Sequence, residues 1–400
     1  MRTFTSSLIL AAALGLVTGC GDDDADAGKD YSAEMSEASE AYAAIVEASY
    51  ADALELARAL DQKVHEFIDD PSEETLDAAR VAWREAREPY LETEVFRFYD
   101  GPIDNPEDGP EGLLNAWPMD ERYVDYVEDD GEPDYTTGII NDTDIELDAD
   151  TLEGLNEDGG EENIATGYHA VEFLLWGQDK SDTGPGDRPY TDYVEGEDAT
   201  APNADRRAEY LGIVSGLIVS HLQDLTDAWA EGRSTNYHHE FEEATPKERF
   251  ERILTGMIVL SGFETGGERL QNALVSGDQE DEHSCFSDNT HRDMIQDVRG
   301  IQNVWQGSYT ALDGTVVGGL GVRDVVEAKD PALAAKLDEQ IATSLELAEA
   351  LHVPFDQEIK VGNDAGNARV AALIDSLRTQ ETLLEDVFHG FGLSVPVTDP

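Results

Sequence analysis

Apolar side chains recur at steps of three and four residues through much of this chain, and this spacing strongly constrains its fold. The first such run covers residues 32–68, and its regularly spaced members are Val46, Tyr50, Ala53, Ala57, Leu60, Val64 and Phe67. Because these steps match the 3.6-residue turn of an α-helix, all of these side chains fall on one face. The run therefore predicts one long amphipathic helix.

Two proline-containing signals predict the starts of further helices. Asp70-Pro71-Ser72-Glu73 combines an Asp cap, Pro at the first helical position and Glu at the third, and Thr245-Pro246-Lys247-Glu248 repeats this pattern. We expect the first helix to reach about Arg97, with a kink or break at Pro89, and the second to reach about Val275. Another helix is expected to begin at Asp330-Pro331, and others to cover 162–176, 203–231, 290–308 and 364–389.

The sequence predicts an all-α fold with antiparallel bundles. Sustained strand alternation is absent from the sequence, and only Asp313-Gly314, between Tyr309 and Val317, suggests a short hairpin. A length of 400 residues corresponds to two or three domain-sized units. Residues 101–163 form a long irregular acidic segment, and its aromatic and apolar side chains favour an excursion packed over the bundle.

The N-terminal residues are typical of a secretion signal. Arg2 precedes a short apolar run that ends at Val17-Thr18-Gly19-Cys20. The run is too short to cross a bilayer, and small residues before the Cys fit a bacterial lipoprotein cleavage site. Residues 1–20 are thus predicted to be a lipoprotein signal peptide with Cys20 as the lipidated residue, and residues 21–31 a flexible acidic tether. The alternative is a soluble protein with a chance apolar start.

Net charge limits the partners of this chain. Asp and Glu number 88 against 26 Lys and Arg, which gives a formal charge of −62 at pH 7. This charge excludes nucleic acid as a partner, because phosphates would be repelled, and it makes a cation the natural ligand. With Cys20 lipidated, Cys285 has no disulfide partner. We expect Cys285 to be a buried structural thiol whose pKa is raised by neighbouring acids.

The sharpest chemical signal is the segment Gly167-Tyr168-His169-Ala170-Val171-Glu172. A spacing of three residues places His169 and Glu172 on one face of a helix. Because the rest of that helix is apolar nearly all round, both side chains should be buried, and buried polar groups need partners. Metal-binding bundles use related His and Glu pairs, whereas the alternative is a hydrogen-bonded core pair without a ligand.

Three other segments concentrate polar side chains. Residues 278–293 combine carboxylates, two His and a thiol, although a solvated acidic loop is the alternative there. Residues 260–270 insert Gly, Glu and Arg into an otherwise apolar helix. Residues 83–104, which include Trp83, Arg87 and Tyr90, place charges beside aromatic rings. A surface ion pair is the alternative for that last segment. The residues singled out are Glu94, Arg97, Asp104, Glu264, Arg269, Asp281 and His283.

The segment from Gly167 to Glu172 resembles the G-x-H-x-x-E signature of the imelysin superfamily. The similarity extends through residues 173–179, 186–190, 278–293, 300–303 and 114–118, and it covers residues 35–390 of this chain. Together these motifs resemble the branch called imelysin-like or iron-regulated protein A. The resemblance implies two related helical bundles, which we place at residues 32–231 and 232–400, with a site near their junction. It also implies a cell-envelope location, in the periplasm or at the outer membrane, and a link to iron acquisition.

We therefore expect a lipid-anchored protein that binds iron or another divalent cation and serves iron uptake, since carboxylate and imidazole groups suit iron. The expected partners are a metal ion, the membrane through Cys20, and iron-transport proteins. The expected metal ligands are His169, Glu172, Glu94 and Asp104. Supporting residues, or the other wall of the cleft, are expected to be Arg97, Glu264, Arg269, Asp281 and His283.

Two other functions stay open at this point. A periplasmic metallopeptidase would be expected to show H-E-x-x-H, but His65-Glu66 is followed by Asp69, and His239-Glu240 by Glu243. An enzyme is therefore not favoured. The other alternative is an interaction module in which His169 and Glu172 only hold the bundle together.

Overall fold

A computed structural model describes residues 29–129, 131–181 and 183–393. The predicted signal peptide, the lipidation site Cys20 and most of the predicted tether lie outside the described residues. At the start of the described chain, the ring of Tyr31 meets that of Phe391 edge to face, with ring centroids 5.5 Å apart. The first helix begins at the next residue.

Helices make up most of the described chain, as predicted. The α-helices are α1 (Ser32–Asp69), α2 (Glu73–Glu92), α3 (Glu111–Leu114), α4 (Glu121–Val124), α5 (Ala149–Leu155), α6 (Gly167–Trp176), α7 (Ala204–Trp229), α8 (Tyr237–Glu243), α9 (Pro246–Ile258), α10 (Asn272–Ser276), α11 (Thr290–Gln306), α12 (Val322–Lys329), α13 (Pro331–Glu349), α14 (Asp356–Ile359) and α15 (Asp364–Gly390). Short 3₁₀ turns cover Glu94–Phe96, Tyr190–Tyr193 and Gln279–Asp281. A π-helical segment, Val259–Gln271, joins α9 to α10. The all-α fold class is confirmed.

The long first helix is the centre of the packing. Its predicted apolar face is buried, with Val46, Tyr50, Val64 and Phe67 fully inaccessible to solvent. This face packs against α2, α7 and α9, while α11 packs against α2 and α13. In turn, α15 packs against α13 and the π-helical segment. Burial of one apolar face per helix thus assembles the bundle.

The start of α2 differs from its prediction by two residues. Ser72, rather than Asp70, caps the helix: its hydroxyl accepts from the Thr75 N–H at 3.3 Å, and the Thr75 hydroxyl accepts from the Ser72 N–H at 3.1 Å. This reciprocal pair satisfies two backbone donors at once. The helix continues through Pro89, because a proline near the end of a helix removes only one late backbone hydrogen bond. It ends at Glu92, before the predicted end at about Arg97.

The helix predicted over residues 246–275 has a π-helical centre. The segment Val259–Gln271 replaces regular α-helix between α9 and α10. A π turn contains an extra residue, so it rotates the following side chains relative to an α-helix, and such turns are frequent at functional sites. The segment carries Glu264 and Arg269, two of the predicted site residues.

Strand structure is limited to two short ribbons in the described chain. The predicted hairpin is confirmed: Ser308–Thr310 (β3) pairs antiparallel with Val316–Gly318 (β4) around the Asp313-Gly314 turn. The second ribbon pairs Glu128–Asp129 (β1) with Glu132–Pro133 (β2) and was not predicted. It belongs to the acidic segment 101–163, which packs over the bundle as expected, with Val124, Ile139 and Ile140 buried.

The buried apolar side chains form two clusters. The larger draws on α1, α2, α6, α7 and α9, together with parts of α11, α12, α13 and α15. The smaller lies between α10, α11, α14 and α15. The domain boundary between residues 231 and 232 stays a prediction. Among the described helices, none combines the length and apolar character needed to cross a membrane.

Candidate functional site

Helix α6 carries the G-x-H-x-x-E motif, and all ten of its residues are buried. Its first residue, Gly167, has a φ of +84°, and a Cβ placed there would lie 2.5 Å from the Leu114 carbonyl oxygen. Both observations require glycine, because a side chain would clash and would strain this backbone conformation. Gly167 thus allows the motif helix to begin directly against the segment that precedes Asn115.

His169 and Glu172 form a buried pair, as the sequence predicted. Nδ1 of His169 lies 2.9 Å from Oε2 of Glu172. The other carboxylate oxygen, Oε1, accepts hydrogen bonds from the Ser287 N–H at 2.9 Å and the Ser287 hydroxyl at 2.7 Å. Both Glu172 oxygens are therefore engaged, and they hold the imidazole in one orientation.

The second ring nitrogen of His169 is the unsatisfied atom of this pair. Nε2 is buried and has no hydrogen-bond partner among the described residues. When Nδ1 donates to an ionised Glu172, Nε2 presents a lone pair, which is the arrangement of a metal-binding histidine held by a carboxylate. A buried polar atom without a partner carries a desolvation cost of about 1–3 kcal/mol, so its retention calls for an explanation.

Burial shifts both members of the pair toward their neutral forms. The pKa of His169 is well below its ordinary value, because of burial first and the Arg87 guanidinium second. Burial raises the pKa of Glu172 to about 8, against the opposing effect of its Ser287 hydrogen bonds. The imidazole is therefore neutral at pH 7. It can bind a metal through Nε2 when Glu172 is ionised and Nδ1 carries the proton, and a bound cation would favour this state.

A second buried histidine faces the first. The rings of His169 and His283 meet edge to face with centroids 4.9 Å apart. Nδ1 of His283 lies 2.7 Å from Oδ2 of Asp293, and the Ser284 hydroxyl donates to the same oxygen at 2.5 Å. Burial lowers the pKa of His283 well below its ordinary value, and nearby Arg269 adds to this effect. The two neutral imidazoles are therefore in contact with each other, and a carboxylate orients each of them.

Buried arginines connect this location to Glu94. Oε2 of Glu94 accepts from Arg97 at 2.7 Å and is also paired with Arg269. Arg269 in turn donates to Asp297 at 3.0 Å. Burial acts to raise the pKa of Glu94, but Arg97 and Arg269 outweigh it and hold this pKa at about 2. Glu94 is consequently ionised and balances arginine charge.

Arg87 and Asn115 complete the connection between the two groups. Arg87 donates to Oδ1 of Asn115 at 2.5 Å, and its guanidinium lies 3.5 Å from Asp293. The Asn115 amide in turn lies 3.4 Å from Oε1 of Glu94. One buried polar network therefore runs from Asp293 to Glu94 through these two side chains.

A cleft opens beside this network, and His283 is one of its lining residues. Its volume is about 380 Å³. The lining residues include an imidazole, two arginines and several acids: Arg97, Glu111, Asn115, Trp117, Glu157, Glu161, Glu264, Arg269 and His283. The carboxylates and the His283 imidazole that line the cleft provide oxygen and nitrogen donors for a cation.

The structure brings most of the predicted site residues together. Glu94, Arg97, Glu264, Arg269 and His283 belong to the network or line the cleft. His169 contacts the cleft-lining ring of His283, and Glu172 holds His169. Asp104 instead accepts hydrogen bonds from the backbone of Phe98 and, at 2.9 Å, of Gly101, which favours a role in shaping that loop. Asp281 lies in the 3₁₀ turn Gln279–Asp281, and none of its described contacts is with the histidine pair.

Several members of the network were not among the predicted site residues: Arg87, Asn115, Ser287, Asp293 and Asp297. A signal existed for Arg87, because it shares the buried face of α2 with Trp83 and Tyr90 at helical spacing. Cys285 is buried, as predicted, and its pKa is raised by burial first and then by nearby carboxylates.

Comparison with known proteins identifies the family. The family model Imelysin (Peptidase_M75) matches residues 46–384, which is most of the chain. This chain belongs to the imelysin family. An imelysin relative, iron-regulated protein A of Synechococcus elongatus, is 24% identical over 354 residues, which cover 84% of this chain and 82% of that protein.

Solved structures of imelysin-like proteins share the fold. A crystal structure described as an iron-regulated protein A precursor from Parabacteroides distasonis matches with a TM-score of 0.68 and 20% identity, covering 90% of this chain and 97% of that one. An imelysin-like protein from Psychrobacter arcticum matches with a TM-score of 0.60 and 13% identity, covering 92% and 96%. At these identities the likeness concerns the fold.

Proposed function

We propose that this imelysin-family protein binds iron or another divalent cation as cargo at the cleft lined by His283, and that it serves iron uptake at the cell envelope. The observation that carries the proposal is the buried Nε2 of His169, which lacks a hydrogen-bond partner in the described part of the chain. The name of the relative from Synechococcus elongatus, iron-regulated protein A, supports the link to iron.

The residues present fit a bound metal ion. His169 would contribute Nε2, and Glu172 would orient the ring through Nδ1 because both of its oxygens are already engaged. Additional oxygen ligands would come from the acidic walls of the cleft, where Glu111 and Glu264 lie nearest the arginines. Imidazole with carboxylate is a donor set that suits iron and zinc.

Charge favours delivery of a cation to this cleft. The net charge of −62 attracts cations over the whole surface, and a cleft lined by acids concentrates them further. Arg97 and Arg269 lie at the same cleft, but Glu94 and Asp297 neutralise much of their charge. The cleft therefore keeps an acidic character beside its buried arginines.

The envelope location and partners belong to the same proposal. Lipidation at Cys20 would anchor the protein at the membrane, in the periplasm or at the outer membrane, and iron-transport proteins would receive the cargo. The acidic surface leaves nucleic acid an unfavourable partner.

Metal analysis of two histidine variants tests the proposal. Protein is prepared without chelator, its metal content is measured, and binding of Fe²⁺ and Zn²⁺ is compared between wild type, His169→Ala and the control His389→Ala, whose side chain is exposed. We expect His169→Ala to weaken binding by about tenfold or more, and the control to bind like wild type.

Three other results would contradict the proposal. Unchanged metal affinity and unchanged stability in His169→Ala would exclude the site. A loss of stability with unchanged affinity would show that the pair only supports the bundle. Chelator-sensitive cleavage of unfolded peptides would instead indicate a metallopeptidase.

A further inference from the structure

Three separate loops bring buried carboxylates together at a second location. Asp179 follows α6, Asp288 precedes α11, and Asp356 begins α14. Each residue offers one carboxylate oxygen, and these three oxygens all lie within 4.8 Å of one another. Each of the three residues is at most 6% exposed. Burial of like charges at this separation is unfavourable unless a cation or protons compensate.

Glu282 supplies a fourth carboxylate to this cluster. It is 0% exposed, and neither of its oxygens has a hydrogen-bond partner within the described residues. The same is true of both oxygens of Asp356. Burial raises the pKa of Glu282, and electrostatic interaction with Asp356 and Asp288 raises it further. The Glu282 carboxyl group therefore lies close to those of the cluster. Buried carboxylate oxygens without donors are what a bound cation would satisfy.

Positive charge from the protein is scarce at this location. Among the described ion pairs within 4.0 Å, none includes Glu282, Asp288 or Asp356. Arg84 acts on Asp288 only at longer range, and burial together with Asp356 and Asp179 still raises the pKa of Asp288 to about 8. Without a cation, burial and the neighbouring carboxylates therefore shift Asp288 and Glu282 toward their protonated forms.

We propose that Asp179, Glu282, Asp288 and Asp356 form a second metal site that binds a hard divalent cation, with Ca²⁺ as the favoured ion. The donors are carboxylate oxygens, and neither imidazole nor thiolate takes part, which selects against zinc and copper. Ca²⁺ accepts six to eight oxygen ligands in irregular geometry, and carboxylates from separate loops suit this better than the strict octahedron of Mg²⁺.

The ion would join three parts of the fold that support the histidine pair. Glu282 precedes His283 directly, and Asp288 follows Ser287, which donates to Glu172. A cation held by these neighbours would fix the loop 282–289 against α6. The inference does not depend on the proposed function, because the carboxylate cluster and His169 contribute different atoms.

Thermal unfolding of the full chain tests this site. Protein is stripped with chelator and measured with and without about 1 mM CaCl₂ in about 0.3 M NaCl, which screens nonspecific binding to exposed acids. We expect Ca²⁺ to raise the wild-type midpoint by about 3 °C or more, and Mg²⁺ to raise it less. The double variant Asp288→Asn/Asp356→Asn should lose this increase.

Two controls keep the result interpretable. Asp364→Asn removes one negative charge from an exposed position eight residues after Asp356 and should keep the full Ca²⁺ response. The double variant should be at least as stable as wild type without Ca²⁺, because Asn, unlike Asp, carries no charge that burial penalises, so lack of response cannot be confused with failure to fold. Absence of a wild-type response, or an equal response in the double variant, would overturn the proposal. Iron binding by the double variant reports separately on the His169 site.

Discussion

His169 and His283 meet edge to face, with ring centroids 4.9 Å apart, although they come from opposite halves of the chain. Each ring is held through Nδ1 by a carboxylate, Glu172 for the first and Asp293 for the second. The contact brings helix α6 and the loop before α11 to one buried location. A site of this kind depends on the packing of both halves, and variants of its supporting residues should report on that packing.

Removal of the Glu94 charge should destabilise the protein. Glu94→Gln leaves Arg97 and Arg269 buried with less compensation, and breaking a buried ion pair on one side costs about 3–5 kcal/mol. Urea unfolding measures this loss as a lower free energy of unfolding. The control Glu107→Gln, at an exposed position, should stay within about 0.5 kcal/mol of wild type. A Glu94 variant as stable as its control would show that the ion pairs are not formed.

Substitution of the motif glycine should also destabilise the fold. Gly167→Ala places a Cβ 2.5 Å from the Leu114 carbonyl oxygen and forces alanine into a φ of +84°. We expect a loss of about 1–3 kcal/mol in the free energy of unfolding. Gly154→Ala in α5 is the matched control, because a Cβ there meets no described atom within 4 Å. That change should be neutral or stabilising by up to about 1 kcal/mol. Equal effects at both positions would contradict the close approach.

The hydroxyl of Ser287 should contribute to the histidine site. Ser287→Ala removes the 2.7 Å hydrogen bond to Glu172 but keeps the backbone donor. Loss of a buried hydrogen bond to a carboxylate is expected to cost about 1–3 kcal/mol of unfolding free energy. The exposed position Ser234→Ala serves as the control and should unfold like wild type. A Ser287 variant that matches this control would indicate that the loop does not close on α6.

Stability should fall as pH rises through the neutral range, in part because of Glu121. Burial and the nearby acids Glu280 and Asp120 raise its pKa from 4.5 to about 8. Below pH 4.5 the carboxyl is protonated in both the folded and the unfolded state. Between pH 4.5 and about 8 only the unfolded state releases the proton, so Glu121 lowers the free energy of unfolding as pH increases.

The variant Glu121→Gln removes this titration. Its unfolding free energy should decline less steeply than that of wild type, by up to about 1.4 kcal/mol per pH unit. Urea unfolding at several values between pH 5 and 8 measures the slope, and the exposed control Glu146→Gln should keep the wild-type slope. Parallel curves for Glu121→Gln and wild type would show that this carboxyl is not buried.

Helices and their buried faces were predictable because they depend on neighbours three and four residues apart. The face of α1, the approximate extents of α7, α11 and α15, the start of α13, and the β3–β4 turn all follow from local spacing and capping. The His169–Glu172 contact was predictable for the same reason, since a step of three places both side chains together. Boundaries were less accurate at α2, where Ser72 and Thr75 cap each other in place of Asp70.

Contacts between distant segments required the tertiary structure. The sequence by itself determined an acidic all-α protein of the imelysin type with a buried His and Glu three residues apart. Only the fold decided that His283 faces His169, that Glu94 pairs with Arg269, that Asp104 binds its own loop, and that three buried carboxylates from distant segments converge. Local periodicity indicates which face of each helix is buried, but the pairing of faces depends on packing over long sequence separations. That packing positions the side chains of the two proposed ion sites.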